Sequence, residues 1–316
     1  MIHTEKLTRT FTTGKQVVEA VKGIDLDVQK GELVALLGPN GAGKSTTLRM
    51  LTSLLPPTSG TAKVAGIDVT KNPAGVRKKI GYIGQNPGAG YNYRVWDELR
   101  MQGRFYGLSK DEVSERGKEL LSTLALEGME LRKVSTLSGG QKRRLDIALG
   151  LIHSPELLFL DEPSTGMDPQ NRANLWEHIT RLREERGTTI VLTTHYLEEA
   201  DSMAERIVII DHGRIIAADT ADRLKAQQAG DRIAVTVDES DVQLASEVAA
   251  NAGTILDTTS NTINVRVEAG DRTLPRLLNA LHNKGIDVLS ATLHQPTLDD
   301  VFLNLTGRSL REGGDA

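Results

Sequence analysis

The octapeptide Gly38-Pro39-Asn40-Gly41-Ala42-Gly43-Lys44-Ser45 constrains this chain more than any other feature, because it fills every defining position of the G-x-x-x-x-G-K-[ST] pattern. The apolar run Leu33-Val34-Ala35-Leu36-Leu37 precedes it and Ser45 to Leu55 has helical composition, so the loop falls between an expected strand and an expected helix. Glycines let the backbone curl until successive N–H groups face one anion, and a helix N-terminus adds partial positive charge. Lys44 is then placed to neutralise β- and γ-phosphate charge, and Ser45 to offer its hydroxyl to Mg²⁺. Two more short apolar runs, Leu157 to Leu160 and Thr189 to Thr193, flank a polar segment, Gln170 to Arg186, with Trp176, Ile179 and Leu182 on one helical side. Buried strands joined by helical crossovers imply an α/β fold, a parallel sheet with helices on both faces. Residues 206–217 add an expected hairpin that turns at Asp211-His212-Gly213.

Between about residues 86 and 155 the strand signal disappears, while Lys110 to Leu126 and Gln141 to Ile152 keep helical periodicity, so this block reads as a helical subdomain inserted in the α/β core. After Gln227-Gln228-Ala229-Gly230 the pattern restarts as strand (Ile233 to Val237), helix (Val242 to Ala250), two strands (Thr254 to Leu256, Ile263 to Val267), helix (Leu274 to His282) and strand (Ile286 to Leu293). That order, β-α-β-β-α-β, predicts a small α+β ferredoxin-like C-terminal domain over 231–307, and residues 308–316 read as a disordered tail. No run approaches about eighteen apolar residues and the first thirty lack a secretory pattern, so no membrane span or leader is expected. The absence of Cys excludes disulfides, thiol catalysis and thiolate zinc sites, and fits a reducing, cytoplasmic setting. A net charge of −4 argues against a broad nucleic-acid-binding surface.

Leu157-Leu158-Phe159-Leu160-Asp161-Glu162 is an apolar strand ending in two carboxylates. Beside a phosphate-binding loop, the first is placed to orient Mg²⁺ and the second, facing elsewhere, to act as general base on water. Leu137-Ser138-Gly139-Gly140-Gln141 precedes a helix, with Ser138 as its N-cap and glycines that allow close backbone approach to an anion.

Taken in order, the phosphate loop (38–45), Gln85 after a short strand, 137–141, 157–162, Ser164-Thr165-Gly166-Met167-Asp168, and His195 after a strand resemble an ATP-binding-cassette (ABC) ATPase over residues 1–222. The resemblance implies a P-loop NTPase core that also has antiparallel β elements. It implies ATP bound at residues 38–45 (Walker A) and the adjoining Thr46. It also implies Mg²⁺ held by Ser45, Gln85 and Asp161, the last directly or through water, with Glu162, His195 and Gln85 as catalytic residues. His195 resembles the switch histidine that hydrogen-bonds the γ-phosphate, and Asp168 the aspartate that links two sites across a dimer. Phe11 falls where the family stacks an aromatic ring on adenine, a plain core position being the alternative. The signature loop Leu137-Ser138-Gly139-Gly140-Gln141 of one subunit would cover ATP held by another; with every catalytic position filled, a homodimer is favoured over pairing with a degenerate partner.

Around Gly66-Ile67-Asp68-Val69, Arg77 to Ile80, Arg143 to Ala148 and Leu298 to Gly307 the chain is similar to daunorubicin-resistance-type ATPase subunits of drug exporters. This implies separate polytopic membrane permease subunits as partners, a place at the cytoplasmic face of the membrane, and a drug or other hydrophobic compound as cargo. The alternative is a soluble ABC ATPase acting on ribosomes or DNA. The 231–307 segment has a packable apolar pattern and no catalytic cluster, so its expected role is accessory, in dimerisation or stability, with regulation or small-molecule sensing as alternatives. Six of the chain's aromatic rings, Tyr82, Tyr91, Tyr93, Trp96, Phe105 and Tyr106, fall close together beside Gln85. The resemblance implies that this segment forms the groove for a membrane subunit's coupling helix, where large amphipathic rings are favoured; the alternative is packing of the helical subdomain.

Overall fold

The computed structural model describes residues 1–14, 16–86, 88–228 and 230–307, so the expected tail lies outside the described residues. Two compact units divide the chain, Met1–Ala218 and Asp219–Ala316.

The first unit opens with the long strands β1 (Ile2–Thr13) and β2 (Gln16–Val28), followed by β3 (Leu33–Leu37), α1 (Lys44–Leu51), β4 (Ser59–Val64) and β5 (Ile67–Asp68). Next come α2 (Pro73–Lys79) and β6 (Ile80–Ile83), the helices α3 (Val95–Phe105), α4 (Lys110–Thr123) and α5 (Gly139–Leu151), then β7 (Leu157–Asp161), α6 (Pro169–Arg186), β8 (Thr189–Thr194), α7 (Leu197–Met203), β9 (Arg206–Asp211) and β10 (Arg214–Asp219). One sheet, β2-β1-β4-β5, is antiparallel. The other has the order β10-β9-β3-β8-β7-β6, and its neighbours from β9 to β6 pair in parallel.

Every residue of β3, β7 and β8 is buried, which is what strands covered on both faces require. Trp176, Ile179 and Leu182 of α6 are buried together, as their spacing predicts. The hairpin turn between β9 and β10 uses positive φ at both His212 and Gly213, the twist that suits a two-residue connection.

Among the described residues no strand interrupts the stretch from β6 to β7; α3, α4 and α5 fill it. Helix ends fall short of the composition-based expectation. The first helix stops at Leu51 rather than Leu55, where Ser53 takes positive φ, and α4 stops at Thr123 rather than Leu126, where Ala125 does the same. Such left-handed residues end the hydrogen-bond ladder whatever the periodicity beyond them.

The second unit holds α8 (Ala221–Gln228), β11 (Asp231–Val237), α9 (Val242–Ala250), β12 (Thr254–Thr259), β13 (Thr262–Val267), α10 (Gly270–Asn283), β14 (Val288–His294) and α11 (Leu298–Thr306). Its sheet order, β12-β13-β11-β14, all antiparallel, is that of a ferredoxin-like split unit. Leu277 and Leu281 of α10 and Ala245 and Ala249 of α9 close its core over Ile233, Val235 and Val265. Two helices lie outside the expected pattern, α8 and α11, and they pack on each other. The unit boundary accordingly falls at 218/219, a few residues before the motif-based limit of 222.

Candidate functional site

Parallel pairing brings the carboxyl ends of β3, β8, β7 and β6 to one edge of the sheet, and the segments that follow these four strands carry the expected chemistry. Residues 38–43 follow β3 and lead into α1. A Cβ on Gly38 would lie 2.1 Å from the carbonyl oxygen of Ile210, and one on Gly43 would lie 2.5 Å from that of Ala20, so only glycine lets the loop pass this close to its neighbours.

Lys44, the first residue of α1, is 4% exposed and donates through Nζ to the carbonyls of Gly38 at 2.5 Å and Pro39 at 3.1 Å. Its ammonium is 4.0 Å from Oε1 of Glu162. Burial pushes the Lys44 pKa down, against the pull of Glu162 and Asp161.

Asp161, at the end of β7, is 1% exposed, and its Oδ1 accepts from Ser45 Oγ at 2.9 Å and from Thr193 Oγ1 at 2.7 Å. Tyr82 of β6 donates to Oδ2 at 3.4 Å. Glu162 takes φ 47, a left-handed conformation rare for a residue with a side chain, and its N–H is held by the carbonyl (3.1 Å) and Oγ1 (3.0 Å) of Thr193. This turn separates two consecutive carboxylates, one facing Ser45 and the other facing Lys44. His195 Nδ1 lies 3.4 Å from Glu162 Oε2. That histidine, ahead of Lys44 and Thr165, holds the Glu162 carboxyl below its usual range although burial opposes it.

Pro39 to Thr46, together with Ala20, Gln85 and Glu162, line one cavity of about 350 Å³. Leu137, Ser138, Gly139, Gly140, Gln141, Asp168 and Phe11 are not part of that lining. Ser138 caps α5 in a reciprocal box, accepting from Gln141 N while its own N–H donates to Gln141 Oε1. Gly139 has open space where a side chain would be, whereas a Cβ on Gly140 would meet Asn171 at 2.7 Å. Asp168 caps α6 by accepting from Asn171 N at 2.9 Å and also accepts from Asn171 Nδ2 at 2.6 Å, so Asn171 joins the signature loop to Asp168. Phe11 lies opposite Val18 on the β1–β2 hairpin, 36% exposed, with the Arg9 guanidinium 4.7 Å from its ring centre; it is not a core residue.

Thr193, Tyr82 and Arg143 belong to the site's structure but carry no expected role in it from the sequence, where Tyr82 stands only among the clustered rings and Arg143 only in a stretch of resemblance. The Thr193-Thr194 pair closing an otherwise apolar strand was the available signal, since a buried hydroxyl needs a partner. The aromatic cluster divides. Tyr91, Tyr93 and Phe105 are exposed, while Trp96 packs over Gly117 and Tyr106 stacks on His153 at 3.6 Å.

Residues 21–165 match the ABC transporter family, and residues 220–306 match the family described as ATP-binding protein DrrA1-3-like, C-terminal domain. The chain is 42% identical to the daunorubicin resistance ATP-binding protein DrrA3 of Streptomyces coeruleorubidus, over 93% of each chain. It is 39% identical to the Nod factor export ATP-binding protein I of Cupriavidus metallidurans, over 92% of this chain and 94% of that one. Among solved structures it resembles the dimeric post-hydrolysis state of the ATP-binding cassette MJ0796 bound to ADP and Pi, with a TM-score of 0.64, 28% identity, and coverage of 70% of this chain and 98% of that one.

Proposed function

The chain belongs to the ABC transporter family as an ATP-binding subunit, and from that premise we propose that it hydrolyses ATP to drive export of a drug or other hydrophobic compound through separate membrane subunits. The observation that carries the catalytic part is that the wall of one cavity holds Lys44, Gln85 and Glu162 together. ATP lies with its phosphates along residues 38–46, where backbone N–H groups and the Lys44 ammonium, otherwise tied to the Gly38 and Pro39 carbonyls, neutralise them. Ser45 Oγ and Asp161 Oδ1, hard oxygens 2.9 Å apart, suit Mg²⁺, with Gln85 as a further ligand. When bound, the ion supplies charge neutralisation at the phosphate oxygens. Glu162, ionised at neutral pH and held at an unusual backbone angle, accepts the proton of the attacking water, while His195 beside it donates to the γ-phosphate.

The cavity lacks residues 137–141 of its own chain, which supports their acting on ATP held by a second copy in a homodimer. No helix among the described residues is long and apolar enough to cross a membrane. The likeness to ATP-binding subunits of export systems supports cargo movement through permease subunits, with this chain at the cytoplasmic membrane face. Tyr91, Tyr93 and Phe105, all exposed, are the surface proposed to meet them.

The test is Glu162→Gln, which should keep ATP affinity while slowing turnover by about 10²–10⁴-fold, the scale of losing a general base. Steady-state phosphate release alongside nucleotide binding reads both quantities. Wild-type turnover in that variant would move the base to another residue.

A further inference from the structure

Two buried side chains of α5 that the hydrolysis scheme leaves unused both reach the residues around Gln85. Arg143 is 8% exposed and all its recorded bonds go to backbone carbonyls: Nε donates to Pro163 at 2.8 Å, Nη1 to Gly84 at 2.6 Å and Nη2 to Asp161 at 3.4 Å. Gly84 directly precedes Gln85, and Asp161 and Pro163 flank Glu162. One planar guanidinium therefore ties the end of β6 to the end of β7 at the positions adjoining two catalytic candidates. Asp146, a helical turn further on and 6% exposed, accepts at Oδ1 from the N–H groups of Gly88 at 2.9 Å and Ala89 at 3.3 Å. Gln85 is thus held between two attachment points on a single helix.

The helix reaches that far because two glycines face each other beneath it. A Cβ on Gly81 of β6 would lie 2.4 Å from the carbonyl oxygen of Gly150, and one on Gly150 would lie 2.8 Å from Ile83. Backbone meets backbone there, and α5 seats directly on β6.

We propose that Arg143 and Asp146 are positioning residues for hydrolysis, holding the Gln85 loop in register with Asp161 and Glu162 and anchoring both to the helix that begins at Ser138. The proposal rests on the reading of Gln85 and Glu162 as catalytic. The bonds to Asp146 come from neutral amides, so an oxygen acceptor is what the anchor needs first, while the carboxylate charge also faces the buried Arg143 guanidinium.

The test uses the full-length chain and measures ATP turnover, KM for ATP and thermal melting for Arg143→Met, Asp146→Ala and Asp146→Asn. Arg143→Met and Asp146→Ala should lower kcat by about 10- to 100-fold, the cost of misplacing a reacting group, and leave KM within about threefold because residues 38–46 are untouched. Asp146→Asn keeps an oxygen acceptor and should regain at least about half of the kcat lost in Asp146→Ala. A role in stability alone would instead lower the melting temperature with no separation of kcat from KM. Wild-type kcat in Asp146→Ala, or an Asp146→Asn variant as slow as Asp146→Ala, overturns the proposal; should Arg143→Met not fold, the Asp146 pair decides. Glu162→Gln is assayed beside them. Slow Glu162→Gln with normal Asp146→Ala sinks the positioning role alone, whereas normal Glu162→Gln removes the site reading beneath it.

Discussion

The mainly parallel sheet of the first unit and the antiparallel sheet of the second place their polar groups in opposite ways. In the first unit, β3, β7 and β8 have no exposed residue, so polar chemistry has no place along them and collects where they end. Asp161, Thr193, His195 and the phosphate loop all occupy those ends or the turns just beyond, and Gln85 follows the end of the neighbouring β6. In the second unit the strands alternate: β11 buries Ile233, Val235 and Val237 and turns Arg232 outward. α9 and α10 close the core on one face of that sheet, and its polar residues are spread along the strands on the other. Covering both faces of a sheet concentrates reactivity at its edge, whereas alternating strands spread their polar groups along their length.

This contrast can be broken experimentally. The largest effect belongs at a strand end: Lys44→Ala should weaken ATP binding by about 10²-fold or more, since it removes a buried charge from the wall of the cavity proposed to take the phosphates. Unchanged affinity by equilibrium titration would contradict the phosphate cradle. Removing residues 219–316 should act differently, weakening self-association by about tenfold while leaving ATP affinity unaltered, and analytical ultracentrifugation with and without ATP reads the first of these. Dimerisation and turnover equal to the full chain's would dismiss an accessory role for the second unit.

The smallest expected effect is in the pH profile. His195 is the leading cause of the low Glu162 pKa and burial acts the other way, so His195→Ala should raise that pKa. The acid limb of kcat/KM, which follows ionisation of Glu162, should then move to higher pH. A limb that stays in place or moves to lower pH would separate the two residues functionally.

Legibility in the sequence followed how local each feature is. The phosphate loop, the Ser138 cap, the Asp211-His212-Gly213 turn and the β-α-β-β-α-β order all depend on residues within a few positions of one another, and they can be read from spacing. Helix ends at Leu51 and Thr123 were misjudged because periodicity continues past the left-handed residue that stops each helix. Phe11 could not be placed because its neighbour Val18 is set by how far the hairpin extends through residues 12–19. The exposure of Tyr91 and Tyr93 against the packing of Trp96 was hidden for a similar reason, as all three are amphipathic rings and it is the start of α3 and the distant Gly117 that set Trp96 apart.

By itself the sequence determined the chemistry: which residues can hold a triphosphate, which carboxylates can serve a metal and a water, and that such groups end short buried strands. Tertiary structure decided their arrangement. The order β3-β8-β7-β6 set Thr193 beside Asp161, the paired glycines 81 and 150 let α5 bring Arg143 and Asp146 to the Gln85 loop, and residues 137–141 were left off the cavity wall. The physical reason is one of range. Backbone propensity, capping and turn geometry act over a few residues and are written locally, whereas strand order and close packing bring together groups far apart in the chain, as with Ser45 and Asp161.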